Sequence, residues 1–291
     1  MCKWFKEILV KTDKMNKTNK INNLEDSTKS SLGEVIEPKE LDENELNLSL
    51  RIEKSEEEIN KPYIESKYLL FNGEKIPIDW NKVVLWTDTN GLKIPETHYK
   101  EQKSRKSKQF VIHYDACVSS KVCFEVLKQR GLSVHFLIDG DGTIYQLTDC
   151  SNICWHAKGV NSTSIGVEIS NPYYIKYNTS QEKLWGLKRD IVKTCKVHNK
   201  ETAPFLDFYP IQVAACKALI KSLSLNGLEL NYPSGPNTEL YRGVLKNVIE
   251  FSGVIGHYNV SSAKIDPGSF PIDVIVDELN SGFRKIKKVQ D

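Results

Sequence analysis

The chain has 291 residues, 40% of them hydrophobic, with 40 lysines and arginines against 38 aspartates and glutamates and a formal net charge of +2. That length can bury the core of one catalytic-size domain with sequence to spare, and the balanced charge gives no reason to invoke nucleic acid as a partner. Seven cysteines, an odd number without a repeating framework, point to reduced thiols and not to a disulfide scaffold.

In chain order, Met1 to Val10 sets apolar residues at helical spacing with lysines between them. The run is too short and too charged for a secretory or membrane-spanning segment, and reads as a frayed amphipathic end more readily than as a docking helix. Residues from about 12 to 60 are rich in Lys, Asn, Glu and Ser, with an acidic cluster at Glu56-Glu57-Glu58. Residues 1–62 are therefore expected to be a polar, disordered tail or linker.

Tyr68 to Phe71, Asn72-Gly73 and Lys75 to Ile78 predict a strand, a type I′ turn and an edge strand, since Pro77 is tolerated at an edge. Val83 to Trp86 predicts another strand, followed by a turn at Asn90-Gly91. Residues 63–109 are expected as a small β extension and a basic linker. The run Lys100, Lys103, Arg105, Lys106, Lys108 reads as a solvated face.

The main domain, 110–291, opens with the strand Phe110 to Tyr114, in which Val111 and His113 share a face. Ser119 or Ser120 caps a helix carrying Val122, Cys123, Val126 and Leu127, stopped by Gly131. Val134 to Asp139 and Thr143 to Leu147 flank Gly140-Asp141-Gly142 as a hairpin, and Cys154 to Gly159 is a loop. In the strand Ser164 to Ser170, Ile165, Val167 and Ile169 face one way, Gly166 and Glu168 the other. A carboxylate there, beside a glycine that leaves room for an approaching group, is oddly placed for a merely solvated charge. Pro210 opens a helix ended by Asn226-Gly227, and a last helix follows Pro271. The economical architecture is an α/β fold, a mixed central β-sheet flanked by helices, with the small β extension before it. Cys150 and Cys154 lack a second pair to complete a structural zinc site and read as small apolar side chains.

The stretch Gly256 to Gly268 packs His257, Lys264 and Asp266 into a turn-rich loop after the apolar Val254-Ile255. Such a loop can hold a metal. A catalytic zinc needs a third protein ligand, supplied from elsewhere in the chain, and one position open to water. A lone strand histidine such as His113 is ordinarily structural. His98 and His198 have no supporting pattern, and strand alternation sets His135 on the face opposite Val134, away from the metal.

Several segments resemble, in order, the zinc N-acetylmuramoyl-L-alanine amidases, the type-2 amidases related to peptidoglycan recognition proteins. They are Val111-Ile112-His113, Val134 to Asp139 with Asp141 to Leu147, Trp155-His156-Ala157, Ser164 to Glu168, and Gly256-His257 with Lys264 to Gly268. The likeness covers residues 110 to about 280. It implies His113, His257 and Asp266 as zinc ligands, Glu168 as the catalytic base and proton shuttle, and Lys264 as the oxyanion stabiliser. It also implies His156 on the substrate side, with Trp155 shaping a sugar or peptide wall. The expected substrate is peptidoglycan, cut between the lactyl group of N-acetylmuramic acid and L-alanine.

Two positions depart from the pattern. Val134 stands where some relatives carry a catalytic tyrosine just before His135, and the loop from His257 to Asp266 is one residue shorter than in the glutamate-using branch. Two further readings compete with the enzyme: a recognition module that grips peptidoglycan without cutting it, and a virion-associated wall-binding protein tethered by its tail. The Lys- and Asn-rich composition and the insert from Asn171 to Tyr209 suit a phage endolysin. On that reading the chain is made in a bacterial cytoplasm without a signal peptide and reaches the wall through a holin or a virion.

Overall fold

Asn72 and Gly73, both at positive φ (54° and 78°), close a hairpin between β1 (Tyr68–Phe71) and β2 (Glu74–Pro77). This is the type I′ geometry that an Asn-Gly pair sustains. The computed structural model describes residues 68–236 and 239–290, with side chains up to residue 283. The tail expected over 1–62, its Met1 to Val10 segment included, lies outside the described residues. In order follow β3 (Val83–Leu85), β4 (Tyr99–Lys100), β5 (Gln109–Tyr114), α1 (Ser120–Gln129), β6 (Phe136–Ile138), β7 (Ile144–Gln146), β8 (Ile153–Cys154) and β9 (Ser164–Ile169). Then come α2 (Asn178–Trp185), the short strands β10 (Ile191–Val192), β11 (Lys196–Val197), β12 (Lys200–Glu201) and β13 (Phe205–Leu206), α3 (Pro210–Ser224), β14 (Gly253–Gly256) and α4 (Ile272–Gln290).

Six strands form the central sheet in the order β14-β5-β9-β6-β7-β3. The first four run parallel, β7 is antiparallel to β6, and β3 is parallel to β7. This is the mixed sheet with flanking helices that the pattern predicts. β5 is buried along its whole length, as a parallel strand covered on both faces must be. The stretch expected as an extension supplies the edge strand β3. Its hairpin docks through Gln146, whose side chain accepts from Leu70 N at 2.9 Å and donates to Leu70 O at 2.7 Å.

The two faces of the sheet differ. One carries Phe110, Ile112, Ile138, Ile165, Val167 and Ile169 against α3 and α4 in a single continuous core. On the other face the apolar cover is divided: Val84, Leu137 and Tyr145 pack on α1, while Val111 and Ile255 pack on Ala157 and Val160. Between those clusters lie His113 and Glu168, which are register partners on β5 and β9. Gly256, the last residue of β14, pairs with Ile112 of β5, so His257 leaves β14 level with His113 near the end of β5. The carboxyl end of parallel strands is where such sheets expose their ligand-binding crevice.

The local signals behave as their chemistry requires. Ser119 caps α1, its Oγ accepting from Val122 N at 3.4 Å, and Pro210 opens α3. The basic run needs a correction. Its lysines are exposed, but Arg105 is buried. Its guanidinium donates from Nε to Ser151 O at 3.0 Å, from Nη1 to Ser164 O at 2.8 Å and Asn161 O at 3.3 Å, and from Nη2 to Cys150 O at 2.8 Å. Arg105 is therefore a clamp on the loop between β7 and β9, because its planar fork can satisfy several carbonyls at once.

Candidate active site

Three side chains converge where β5 and β14 end. His113 Nδ1 lies 3.0 Å from His257 Nδ1 and 3.0 Å from Asp266 Oδ2, and His257 Nδ1 lies 2.9 Å from the same oxygen. All three residues are buried, with 1% to 8% of their surface exposed. A 3-10 turn over His257–Asn259 aims the second imidazole. Asn259 holds that turn by accepting from Gly256 N at 3.0 Å and donating to Tyr241 O and Gly243 O. Tyr258 N donates to Asp266 O at 3.0 Å and brings the far end of the loop back. Gly256 is required here, because a Cβ would come within 2.5 Å of Tyr258 Cζ and 2.7 Å of Pro267 Cδ.

A chain of hydrogen bonds behind His113 sets its tautomer. Ser164 Oγ donates to Val160 O at 2.8 Å, so toward His156 Nε2, 3.2 Å away, the hydroxyl oxygen accepts. His156 Nε2 then carries the proton and its Nδ1, 3.1 Å from His113 Nε2, accepts. His113 in turn is protonated on Nε2 and presents the Nδ1 lone pair to Asp266 and His257. Burial, reinforced by His113 and His135, pushes the His156 imidazole well below its ordinary range and keeps it neutral. Gly166 makes this packing possible, since a Cβ there would lie 2.5 Å from His156 Nδ1. The room noted beside Glu168 is thus filled by the His156 ring.

A lone pair facing a carboxylate oxygen at 3.0 Å is repulsive unless a cation sits between them. Burial opposes ionisation of Asp266, but the charge of His257 and the two imidazoles within hydrogen-bond reach outweigh it and hold the carboxyl well below the usual range. Burial and then His257 lower His113 to about 4. The donor set is therefore the neutral His113 imidazole, the His257 ring nitrogen and the Asp266 carboxylate. Its edges of 2.9–3.0 Å approach the roughly 3.3 Å between ligands that zinc–nitrogen distances of about 2.0–2.1 Å impose in a tetrahedron. The residues present fit a zinc ion with one position left over.

Glu168 is half-buried, and its Oε2 is buried without a hydrogen-bond partner. Burial first, then Asp266 and Asp115, push its carboxyl well above the ordinary value, while Lys264 works the other way. Lys264 is exposed, yet its ammonium is near enough to act electrostatically on both Glu168 and His113. Trp155 is half-buried, its backbone N–H donating to Ser133 Oγ at 2.8 Å. The structure thus brings His113, His257, Asp266, Glu168 and His156 into one cluster, with Lys264 at its margin.

Sequence reasoning passed over Arg105, Ser164 and His198. A single arginine among lysines was the available signal for the first, because arginine is the residue suited to burial against carbonyls. A second grouping of possible ligands, Asp115, Cys117 and Cys123, lies beyond the end of β5. There Asp115 Oδ1 accepts from Cys117 N at 2.8 Å and Asn171 N at 3.0 Å, and burial pushes the Cys123 thiol well up. Burial likewise pushes the Asp115 carboxyl well above its ordinary value, and these are the marks of a turn held by a buried carboxyl group beside a protonated thiol.

The family model described as N-acetylmuramoyl-L-alanine amidase matches residues 103–269. That is more than half of the chain and contains every residue of the cluster, and the chain belongs to this family. No curated protein matches it in sequence. Among solved structures it is similar to the endolysin N-acetylmuramoyl-L-alanine amidase LysCS of Clostridium intestinale URNW, at 19% identity and a TM-score of 0.39 over 68% of this chain and 95% of that one. It is similar to the amidase AmiD of E. coli, in complex with an anhydro-N-acetylmuramic acid peptide, at 18% identity and 0.39 over 74% and 66%. Drosophila PGRP-LB is similar at 18% identity and 0.38 over 66% and 91%.

Proposed function

We propose that this protein hydrolyses the amide between the lactyl group of N-acetylmuramic acid and L-alanine in peptidoglycan, with zinc held by His113, His257 and Asp266. The observation that carries the reading is the tautomer relay from Val160 through Ser164 and His156. It leaves the His113 lone pair aimed at Asp266 and His257, which is how a buried ligand set is kept ready for a cation. When bound, zinc supplies Lewis acidity, bringing a water's pKa to about 7 and polarising the scissile carbonyl.

The chain's own residues do the rest. Glu168, with Oε2 unpartnered, accepts the proton of the attacking water and delivers it to the departing amine of L-alanine. Lys264 presents its ammonium to the oxygen on which negative charge develops. His156, both ring nitrogens engaged by His113 and Ser164, acts as a positioning residue for His113 and not as a grip on the sugar. Trp155 walls the substrate. The Lys- and Asn-rich composition and the 171–209 insert support an endolysin-like role in phage lysis of bacteria. A holin or a virion would then be the delivery partner and the cell wall the place of action.

Digestion of purified sacculi, with the released termini identified by mass spectrometry, tests the reaction. New L-alanine amino termini are expected. New reducing sugars would mean a glycosidase, and sacculus binding with no new termini would make the chain a recognition module.

A further inference from the structure

The insert between β9 and α3 takes no part in the chemistry above, yet its β11–β12 hairpin ends on the loop that carries Lys264. At the tip, His198 and Asn199 both sit at positive φ (52° and 62°), a conformation uncommon for histidine outside tight hairpin turns. His198 Nε2 donates to the Lys264 carbonyl at 2.8 Å, and the His198 N–H donates to Arg242 O at 2.8 Å. Arg242 Nε in turn donates to Gly268 O at 3.1 Å. The span from Lys264 to Gly268, with Asp266 at its middle, is held at both ends by one connected set of bonds.

The hairpin has the stiffness this needs. Val197 is fully buried in the main core, and Thr202 N to Cys195 O at 2.9 Å and Cys195 N to Thr202 Oγ1 at 3.1 Å tie the two strands. Farther along the insert, Phe208 meets Phe270 edge to face, centroids 4.9 Å apart. The insert therefore runs along the outside of the metal-binding loop from Lys264 to Phe270.

We propose that His198 is a positioning residue for Lys264: by fixing the lysine's carbonyl it fixes where the exposed side chain departs, and so keeps the ammonium over the reacting carbonyl. The inference rests on the oxyanion role proposed for Lys264. An ammonium on a long, rotamer-rich stem is effective when its backbone is stationary, and misplacement by about 1 Å costs up to roughly a hundredfold in rate. Glutamine can place a donor nitrogen near the site of histidine Nε2, whereas alanine offers none.

The test uses full-length, zinc-loaded protein on purified sacculi, with the zinc-free protein for hydrogen exchange. His198→Ala should lower kcat about tenfold with KM, zinc content and thermal midpoint little changed, and His198→Gln should recover most of the rate. In the zinc-free protein, His198→Ala should hasten amide exchange at Lys264 and Gly268, and His198→Gln should restore it. In a Lys264→Ala background, His198→Ala should cost nothing further. A Lys264→Ala protein at wild-type rate would remove the lysine's role and this inference with it. A slow Lys264→Ala beside a wild-type His198→Ala, or a His198→Ala that slows the Lys264→Ala protein again, would overturn this inference alone. So would a His198→Gln that stays as slow as alanine while folding normally.

Discussion

Two buried polar clusters flank His156, and they differ in how their hydrogen bonds close. On one side His135 and Arg105 direct nearly all their donors at backbone acceptors; the exception is the Arg105 Nη2 contact with His135 Nε2 at 3.2 Å, where both nitrogens carry protons. His135 Nδ1 accepts from Gly166 N at 3.0 Å, its Nε2 donates to Asn152 O at 2.9 Å, and the guanidinium spreads over backbone carbonyls. On the other side His113, His257 and Asp266 converge on one point, and Glu168 Oε2 has no partner. The histidine rings lie at similar distances from His156, 5.9 Å for His135 and 5.3 Å for His113. Burial and proximity therefore do not separate a structural histidine from a reactive one. The separation comes from satisfaction: a closed network rigidifies, whereas convergent lone pairs require a ligand.

The sharpest way to break this comparison is to remove a member of the convergent set. His113→Ala and Asp266→Ala should each lose stoichiometric zinc, read by metal analysis, and with it hydrolysis. Full zinc occupancy in either variant would show the site to be wrongly placed. Glu168→Gln should leave zinc and sacculus binding in place and lower turnover about 10²- to 10⁴-fold, the range of general acid–base catalysis. A Glu168→Gln enzyme at wild-type rate would take the shuttle away from this residue.

On the closed side, the expected loss is in stability. Arg105→Met should cost at least about 4 kcal/mol in urea unfolding, since it strands four carbonyls worth roughly 1–3 kcal/mol each where they stay buried, while the folded fraction keeps its zinc. Zinc loss in that variant would erase the distinction between the clusters.

The sequence carried the ordered motifs, so β5, β9, β14 and the loop to Asp266 stand where alternation and turn chemistry predict them. Glu168 was legible because strand alternation set it opposite the apolar face whatever the tertiary context, whereas His113, a lone strand histidine, was marked as a ligand only by the family resemblance. Arg105 stood out only as one arginine among lysines, and its burial and partners were not legible. Its partners are carbonyls of Cys150, Ser151, Asn161 and Ser164, and backbone acceptors leave no mark in a side-chain pattern. His156 shows a mixed case. The motif revealed the residue, but its orientation depends on Ser164 behind it and on the bare backbone of Gly166 beneath it, a contact across strands that spacing does not encode.

The smallest effect concerns pH and isolates His135. In the folded protein burial first, and then the neighbouring Arg105 guanidinium, lower its pKa to about 3, against an ordinary value of 6.5. The native state therefore keeps His135 neutral while the unfolded chain takes up a proton below pH 6.5. Its contribution to stability is complete above that pH and is lost progressively as the pH falls toward 3. At pH 5 the difference is about 1.5 pH units at roughly 1.36 kcal/mol each, so about 2 kcal/mol relative to pH 7.5. His135→Asn keeps an oxygen toward Gly166 N and has nothing to titrate, so its unfolding free energy should change less between pH 7.5 and 5, by about that amount. Zinc release and the titration of His113 add the same acid sensitivity to both proteins and cancel in the comparison. Equal pH slopes for wild type and variant in urea unfolding would mean that His135 is charged in the folded state, and that its cluster is less closed than the hydrogen bonds indicate.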